Sequence, residues 1–249
     1  MKTTPLVLLH GYPFDHTMWG RVSPELGADV IAPDLRGFGK MDPGTEEPFL
    51  DLMADDIAQL LDEKKIPRAI LAGCSMGGYV ALAFAERHRE QLAGLALINS
   101  QALPDSEEAR AGRRALIEKV RREGARAAAD AAIPKLFARR IAGRQDLADF
   151  AIKGAEQAGV AGITWALEAM ARRPDRSSLL EKLAVPLLLV HSTEDQFIPV
   201  ERARALAERL PKARYVEIAG TGHCSPLEAP ELVAKALAEL VVRVEPQSR

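Results

Sequence analysis

The chain has 249 residues, 47% of them hydrophobic and 27% charged, and a formal net charge of −2. That is room for one large α/β domain with a sizeable core, and a globular composition. The charge gives no electrostatic reason to expect nucleic acid or an anionic membrane as partner, and no apolar run reaches the roughly 18 residues that span a bilayer. Cys74 and Cys224 cannot build a disulfide framework and sit in no zinc-type spacing. Met1 to Thr4 lead straight into a strand-like run, too short for a signal-peptide core, so the expected compartment is the cytoplasm.

Pro5 to Leu9 predicts a buried strand that stops at His10-Gly11-Tyr12-Pro13-Phe14. Asp15 to Leu26 reads as loop and short helix, with Met18 and Trp19 as its apolar contact. Ala28 to Ala32 is the next strand, followed by a glycine- and proline-rich loop to Pro48. Leu50 to Lys65 carries Leu52, Met53, Ile57, Leu60 and Leu61 at helical spacing, with acids early and lysines late, which suits the helix dipole. A strand at Ala69–Ala72 passes through Gly73-Cys74-Ser75-Met76-Gly77-Gly78 into an Ala-rich helix, and Leu92–Ile98 forms a further strand.

From 101 to 173 the composition shifts to Ala, Arg and Glu with no strand-like run. Helices are expected at Glu107–Glu123, Ala125–Ala138, Asp146–Ala158 and Gly162–Ala171, forming a helical cap inserted into a core made of 1–100 and 174–249. The arginine doublets at 113–114, 121–122, 139–140 and 172–173 read as a solvated face, with a substrate-carboxylate role for one of them as the alternative. Alternation resumes with strands at Pro186–Val190 and Ala213–Ile218 and helices at Val200–Leu210 and Pro230–Val242. Strand and helix alternating in this way give a mostly parallel sheet covered by helices on both faces.

The chemistry-bearing residues follow strand ends, the edge where open parallel sheets bind ligands. Gly73-Cys74-Ser75-Met76-Gly77 fits a sharp strand-to-helix turn that projects a serine hydroxyl, its glycines allowing two backbones to approach. A serine needs a base, and a histidine base needs a carboxylate to fix its tautomer. His223, in the glycine-rich loop after the last strand, suits the base. His16 and His88 read as surface residues, His10 as a loop-shaping residue and His191 as a core histidine. Asp195 is preferred over Glu194 as the shorter acid, and Asn99 and Ser100, after the preceding strand, cannot ionise usefully. Two N–H donors should hold the oxyanion: Met76, after the nucleophile, and Tyr12, where Gly11 lets the chain turn.

With these residues assembled, the chain resembles the α/β-hydrolase superfamily, in the branch of small serine esterases, 3-oxoadipate enol-lactonase-like and haloperoxidase-like hydrolases. The motifs LLHGYPFDHTMW, APDLRGFGK, GCSMGG, STEDQFIP and GTGHCSPLEAPE carry the likeness across about Pro5 to Leu240. The resemblance implies Ser75 as nucleophile, His223 as base and Asp195 as acid, with the Tyr12 and Met76 amides as oxyanion hole. Asp34 and Arg36 correspond to structural loop residues. Two departures stand out. Only Met1 to Thr4 precede the first strand, so about six strands are expected, without the family's N-terminal hairpin; Met41 stands where the family often has serine.

The expected activity is serine carboxylesterase chemistry on esters or lactones of small to medium acyl chain, through an acyl-enzyme, with no metal and no cofactor. Activity should rise through roughly pH 6–7.5 as the base becomes neutral. The substrate pocket is expected between cap and sheet, lined by Phe14, Trp19, Met76, Phe137, Trp165 and Ile198. An exposed edge strand at Ala28–Ala32 would be protected by a second copy, as a homodimer. The same constellation also serves enol-lactonase, perhydrolase and C–C bond hydrolase chemistry, and the fold hosts non-catalytic ligand receptors.

Overall fold

A computed structural model describes residues 4–27, 29–141 and 143–245. Six strands form one parallel sheet: β1 (Leu6–Leu9), β2 (Val30–Ile31), β3 (Ala69–Cys74), β4 (Leu92–Ile98), β5 (Leu187–Ser192) and β6 (Arg214–Ile218), in the order β2-β1-β3-β4-β5-β6. The six-stranded expectation holds. β3 and β4 are buried along their whole length and sit at the centre, as strands covered on both faces must be apolar throughout. At the edges, β2 is only half-buried, and β6 is exposed at Arg214 and Glu217 and buried only at Ile218.

Successive side chains of each strand feed opposite layers. Val7, Leu9, Leu71, Leu95 and Leu97 pack with α1 (Leu50–Glu63) and α2 (Met76–Arg87). Leu6, Leu8, Ile70, Ala96 and Val190 pack with Met18, Trp19 and α9 (Pro230–Val244). The helices between β4 and β5 are α3 (Glu107–Glu123), α4 (Arg126–Leu136), α5 (Gln145–Ala171) and α6 (Ser177–Lys182). No helix among the described residues is long and apolar enough to cross a membrane.

Differences from the sequence reading have local causes. The predicted strand start at Ala28 lies outside the described residues, as do Met1 to Thr3, and the strand itself is two residues long. The two helices expected at Asp146–Ala158 and Gly162–Ala171 join in α5, broken only at Gly159 (φ 65°, ψ 178°), where glycine takes a positive φ. α6 and α8 (Ser225–Glu228) escaped notice because one or two turns carry no apolar period. Arg173 is not part of a solvated face but is buried, 4% exposed.

α5 lies across the loops that follow β1 and β2. Gly154 faces the Pro13 carbonyl, and a Cβ on Gly162 would overlap the Gly37 carbonyl oxygen. Gly162→Ala should therefore cost about 1–3 kcal/mol, typical of overpacking, read as a lower urea midpoint. An unchanged midpoint would mean that α5 is free to slide off the loop.

Candidate active site

The turn from β3 into α2 is as tight as its glycines allow. Ser75 sits at φ 51°, ψ −112°, a conformation disfavoured for a non-glycine residue. Cβ atoms on Gly73 and Gly77 would overlap the Gly77 and Leu9 carbonyls respectively. The strained residue is held from both sides: its N–H donates to the Ile98 carbonyl at 3.0 Å, and its carbonyl accepts the Ser100 hydroxyl at 2.8 Å.

His223, in the loop between β6 and α8, brings Nε2 to 2.7 Å from Ser75 Oγ and Nδ1 to 2.8 Å from Asp195 Oδ2. Asp195 stands past β5. Its Oδ1 accepts the Phe197 and Ile198 amides, each at 2.9 Å, and its Oδ2 also accepts Asn99 Nδ2 at 3.0 Å. Burial pushes the Asp195 carboxyl up, but the His223 charge, its hydrogen bond, the Ile198 amide and Asn99 outweigh this and hold it at about 2. An ionised carboxylate only accepts, so Nδ1 carries the proton and Nε2 is left to accept from the Ser75 hydroxyl. The structure thus brings together the three side chains that the sequence singles out.

Asn99 is a further member that sequence reasoning set aside because it cannot ionise. It holds φ 45°, and its Oδ1 accepts the Ser225 hydroxyl at 2.6 Å and the Ser192 hydroxyl at 3.3 Å, which aims Nδ2 at Asp195. The signal was its place at the end of a central strand, where an amide orients an acid as usefully as a second acid would replace it.

His10 fixes the loop that carries Tyr12. Its Nε2 accepts the Leu35 N–H at 2.9 Å, so its Nδ1 carries the proton toward the Gly11 carbonyl at 3.1 Å. Neither the Tyr12 nor the Met76 N–H has an acceptor among the described residues. Met76 opens α2, where N–H groups are unpaired and the helix dipole favours negative charge. The loop after β2 is pinned by Asp34, whose Oδ1 accepts the His16 amide at 3.0 Å and lies 2.6 Å from His16 Nδ1. Arg36 makes a two-pronged pair with Asp56. Asp15, His16 and Asp34 also lie close enough to share a cation, but Asp34 already holds the loop amides of His16 and Lys40, and Asp15 caps a turn through the Thr17 amide.

Burial holds His10 down at about 4 and depresses His191, whose Nε2 meets the Ile198 carbonyl at 2.8 Å. Unfolding frees both to bind protons near pH 6.5, so the unfolded state takes up more protons as the pH falls from about 7 toward 4. Stability should drop across that window, by roughly 3 kcal/mol from His10 alone. Urea midpoints at pH 7.5 and 4.5 test this, and equal midpoints would refute it.

The predicted pocket residues divide. Ile198 and Phe137 lie beside the polar site: the Ile198 amide holds Asp195, and a Cβ on Gly222, next to His223, would overlap the Phe137 backbone. Trp19 is fully buried in the α9 layer. Phe14 stacks on Phe150 and lines a cleft of 290 Å³ with His16, Asp34 and Lys40. Trp165 donates Nε1 to the Glu46 carbonyl at 3.3 Å. Phe197, which the sequence reading passed over, lies 4.9 Å from the His223 ring and is 43% exposed. The Cys74 and Cys224 thiols are buried, and burial raises both above the ordinary thiol range, as expected of packing residues.

A model of the alpha/beta hydrolase fold family matches residues 4–230. A thermophilic esterase from Thermogutta terrifontis, solved with malate bound, is 38% identical with a TM-score of 0.91, covering 98% of this chain and 92% of its own. An enol-lactonase from Burkholderia xenovorans LB400 is 27% identical with a TM-score of 0.88, covering 97% and 92%. A pimeloyl-[acyl-carrier protein] methyl ester esterase from Aromatoleum aromaticum is 30% identical over 97% of this chain and 99% of its own length.

Proposed function

This chain belongs to the α/β-hydrolase family, and we propose that it is a serine hydrolase cleaving carboxylic esters or lactones of small to medium acyl chain through an acyl-enzyme. The observation that carries this reading is the unbroken hydrogen-bonded line from Ser75 through His223 to Asp195, at 2.7 and 2.8 Å. The esterase and enol-lactonase likenesses support it.

In this mechanism Ser75 Oγ attacks the carbonyl carbon as His223 Nε2 takes its proton. The carbonyl oxygen becomes an oxyanion held by the Tyr12 and Met76 amides, each such donor contributing about 3–4 kcal/mol. The His223 proton then passes to the leaving alcohol, and the ester C–O bond breaks. Water, deprotonated by the same Nε2, attacks the acyl-enzyme and releases the acid and free Ser75. Asp195 holds the imidazole in the required tautomer and stabilises its cationic form. With its carboxyl at about 2, Asp195 stays ionised throughout the working range, so it adds no step to the pH profile above about pH 4.

The test is a rapid-mixing assay with p-nitrophenyl esters from acetate to octanoate. A burst of p-nitrophenolate equal to the enzyme concentration, followed by slower turnover, is the expected result, with a chain-length optimum that sizes the pocket. No turnover of any ester in the series would overturn the reading.

A further inference from the structure

The residues on either side of His223 are both anchored. The Gly222 N–H donates to the two oxygens of Glu228, at 3.0 and 3.1 Å, and the Gly222 carbonyl accepts Asn99 Nδ2 at 3.4 Å. Past His223, the Cys224 N–H donates to the Leu136 carbonyl at 3.1 Å. Glu228, at the end of α8, also accepts the Ala138 N–H on Oε2 at 3.2 Å. One carboxylate therefore ties the histidine loop to the stretch that follows α4. That stretch touches the two loops twice more, through the Arg139 N–H on Glu194 Oε2 at 3.2 Å and Arg140 Nε on the Gly220 carbonyl at 2.7 Å.

The hydrogen bonds that Glu228 receives come from backbone amides rather than from a cation. Burial pushes its carboxyl above the ordinary range, with the Glu194 charge adding to this and the two amides and Arg140 opposing it. A half-covered charge with no cation bonded to it costs stability, so its value lies in what it holds. Two N–H groups from separate segments converge on it, and a carboxylate accepts at both oxygens. A glutamine cannot copy this. Its NH₂ group faces the Gly222 N–H at the Oε1 site, and the Ala138 N–H at the Oε2 site. The two segments also touch backbone to backbone, since a Cβ on Gly222 would stand 2.4 Å from the Ala138 nitrogen.

The His223 ring has to satisfy two short contacts at once, 2.7 Å to Ser75 Oγ and 2.8 Å to Asp195 Oδ2. A backbone shift of about 1 Å lengthens one or both beyond hydrogen-bond range, and misplacement of that size can cost about 100-fold in rate. We propose that Glu228 is a positioning residue for proton transfer: by holding the Gly222 and Ala138 amides together, its carboxylate sets where the His223 ring stands between Ser75 and Asp195. This rests on the serine hydrolase reading above, in which His223 is the base.

The experiment measures kcat and KM for a p-nitrophenyl ester with the wild type, Glu228→Gln and Glu228→Ala, under conditions where urea curves show each protein folded. Both variants should lose kcat about tenfold or more while KM moves less than about threefold, because the base is displaced and the substrate pocket is not. Glu228→Ala sets no new donor against the two amides, so it keeps the test open if Glu228→Gln folds poorly. Histidine-selective ¹⁵N NMR at about pH 8.5, where an imidazole is neutral, gives the second reading. His223 should be fixed with its proton on Nδ1 in the wild type, and should average between the two tautomers in the variants as the bond to Asp195 loosens. A folded variant that keeps wild-type kcat, changes only KM, or keeps the fixed tautomer overturns the proposal; a side chain that merely stiffens the fold would lower the urea midpoint and do just that. If the wild type turns over no ester, the serine hydrolase reading fails and the NMR decides alone. Averaging in the variants then supports the clamp, and a fixed tautomer refutes it.

Discussion

Ser75→Ala should abolish the burst and lower kcat about 10⁵- to 10⁶-fold, leaving a residual rate from substrate binding and the two amides. The effect is this large because the attacking atom itself is removed, while His223 and the amides can only stabilise what water attempts far more slowly. The fold should survive. The substitution deletes one hydrogen bond, to His223 Nε2, and keeps a Cβ at the same strained φ of 51°. Intact-mass measurement during turnover supplies the second reading, because the wild type accumulates an ester on Ser75 and the variant does not. Wild-type rates from Ser75→Ala would remove the nucleophile and the mechanism with it.

Asp195→Asn should lower kcat by about 10⁴ with a much smaller change in KM. The reason lies in the donors already crowded around this side chain. An asparagine must place its NH₂ group on one of two sites. At the Oδ2 site it faces Asn99 Nδ2 and donates to His223 Nδ1, forcing the proton to Nε2, where it can no longer accept from serine. At the Oδ1 site it confronts the Phe197 and Ile198 amides, so two donors lose their acceptor. Either choice also costs stability, since a buried donor without an acceptor is unfavourable by about 1–3 kcal/mol. Steady-state kinetics with a p-nitrophenyl ester separates kcat from KM, and a near-normal kcat would show that the tautomer is set by something other than Asp195.

Much of this was legible in the sequence because it is local. Continuous apolar runs such as Ala69–Ala72 and Leu92–Ile98 mark strands buried on both faces, and the polar clusters that follow them mark the working edge of the sheet. The glycines at 73 and 77 announce a close backbone approach whatever the partner. Positions 75, 195 and 223 stand out because each follows a strand and carries a side chain that suits one role.

What escaped was what depends on partners distant in the chain. Asn99 looked idle because its worth lies in aiming at an acid 96 residues away. Phe197 was one apolar residue in a loop until β5 and β6 paired and set its ring against His223. Arg173 looked like half of an exposed doublet, but the end of α5 turns it inward onto Asp105 and Tyr79. Trp19, an aromatic near a motif, is fully buried in the cluster that also holds Leu6, Leu8 and residues of α9.

The sequence by itself determined the class of fold, the six parallel strands, the strained turn at Ser75 and the residues available for chemistry. These follow from apolar period, glycine sterics and side-chain type, all of which act over a few residues. Only the tertiary structure decided which amide steadies Asp195 and where two arginines meet on one buried acid, Asp105. Those outcomes depend on strand order and on how α3 and α5 lie against the sheet, and the burial they create sets the strength of every charge and hydrogen bond in the site.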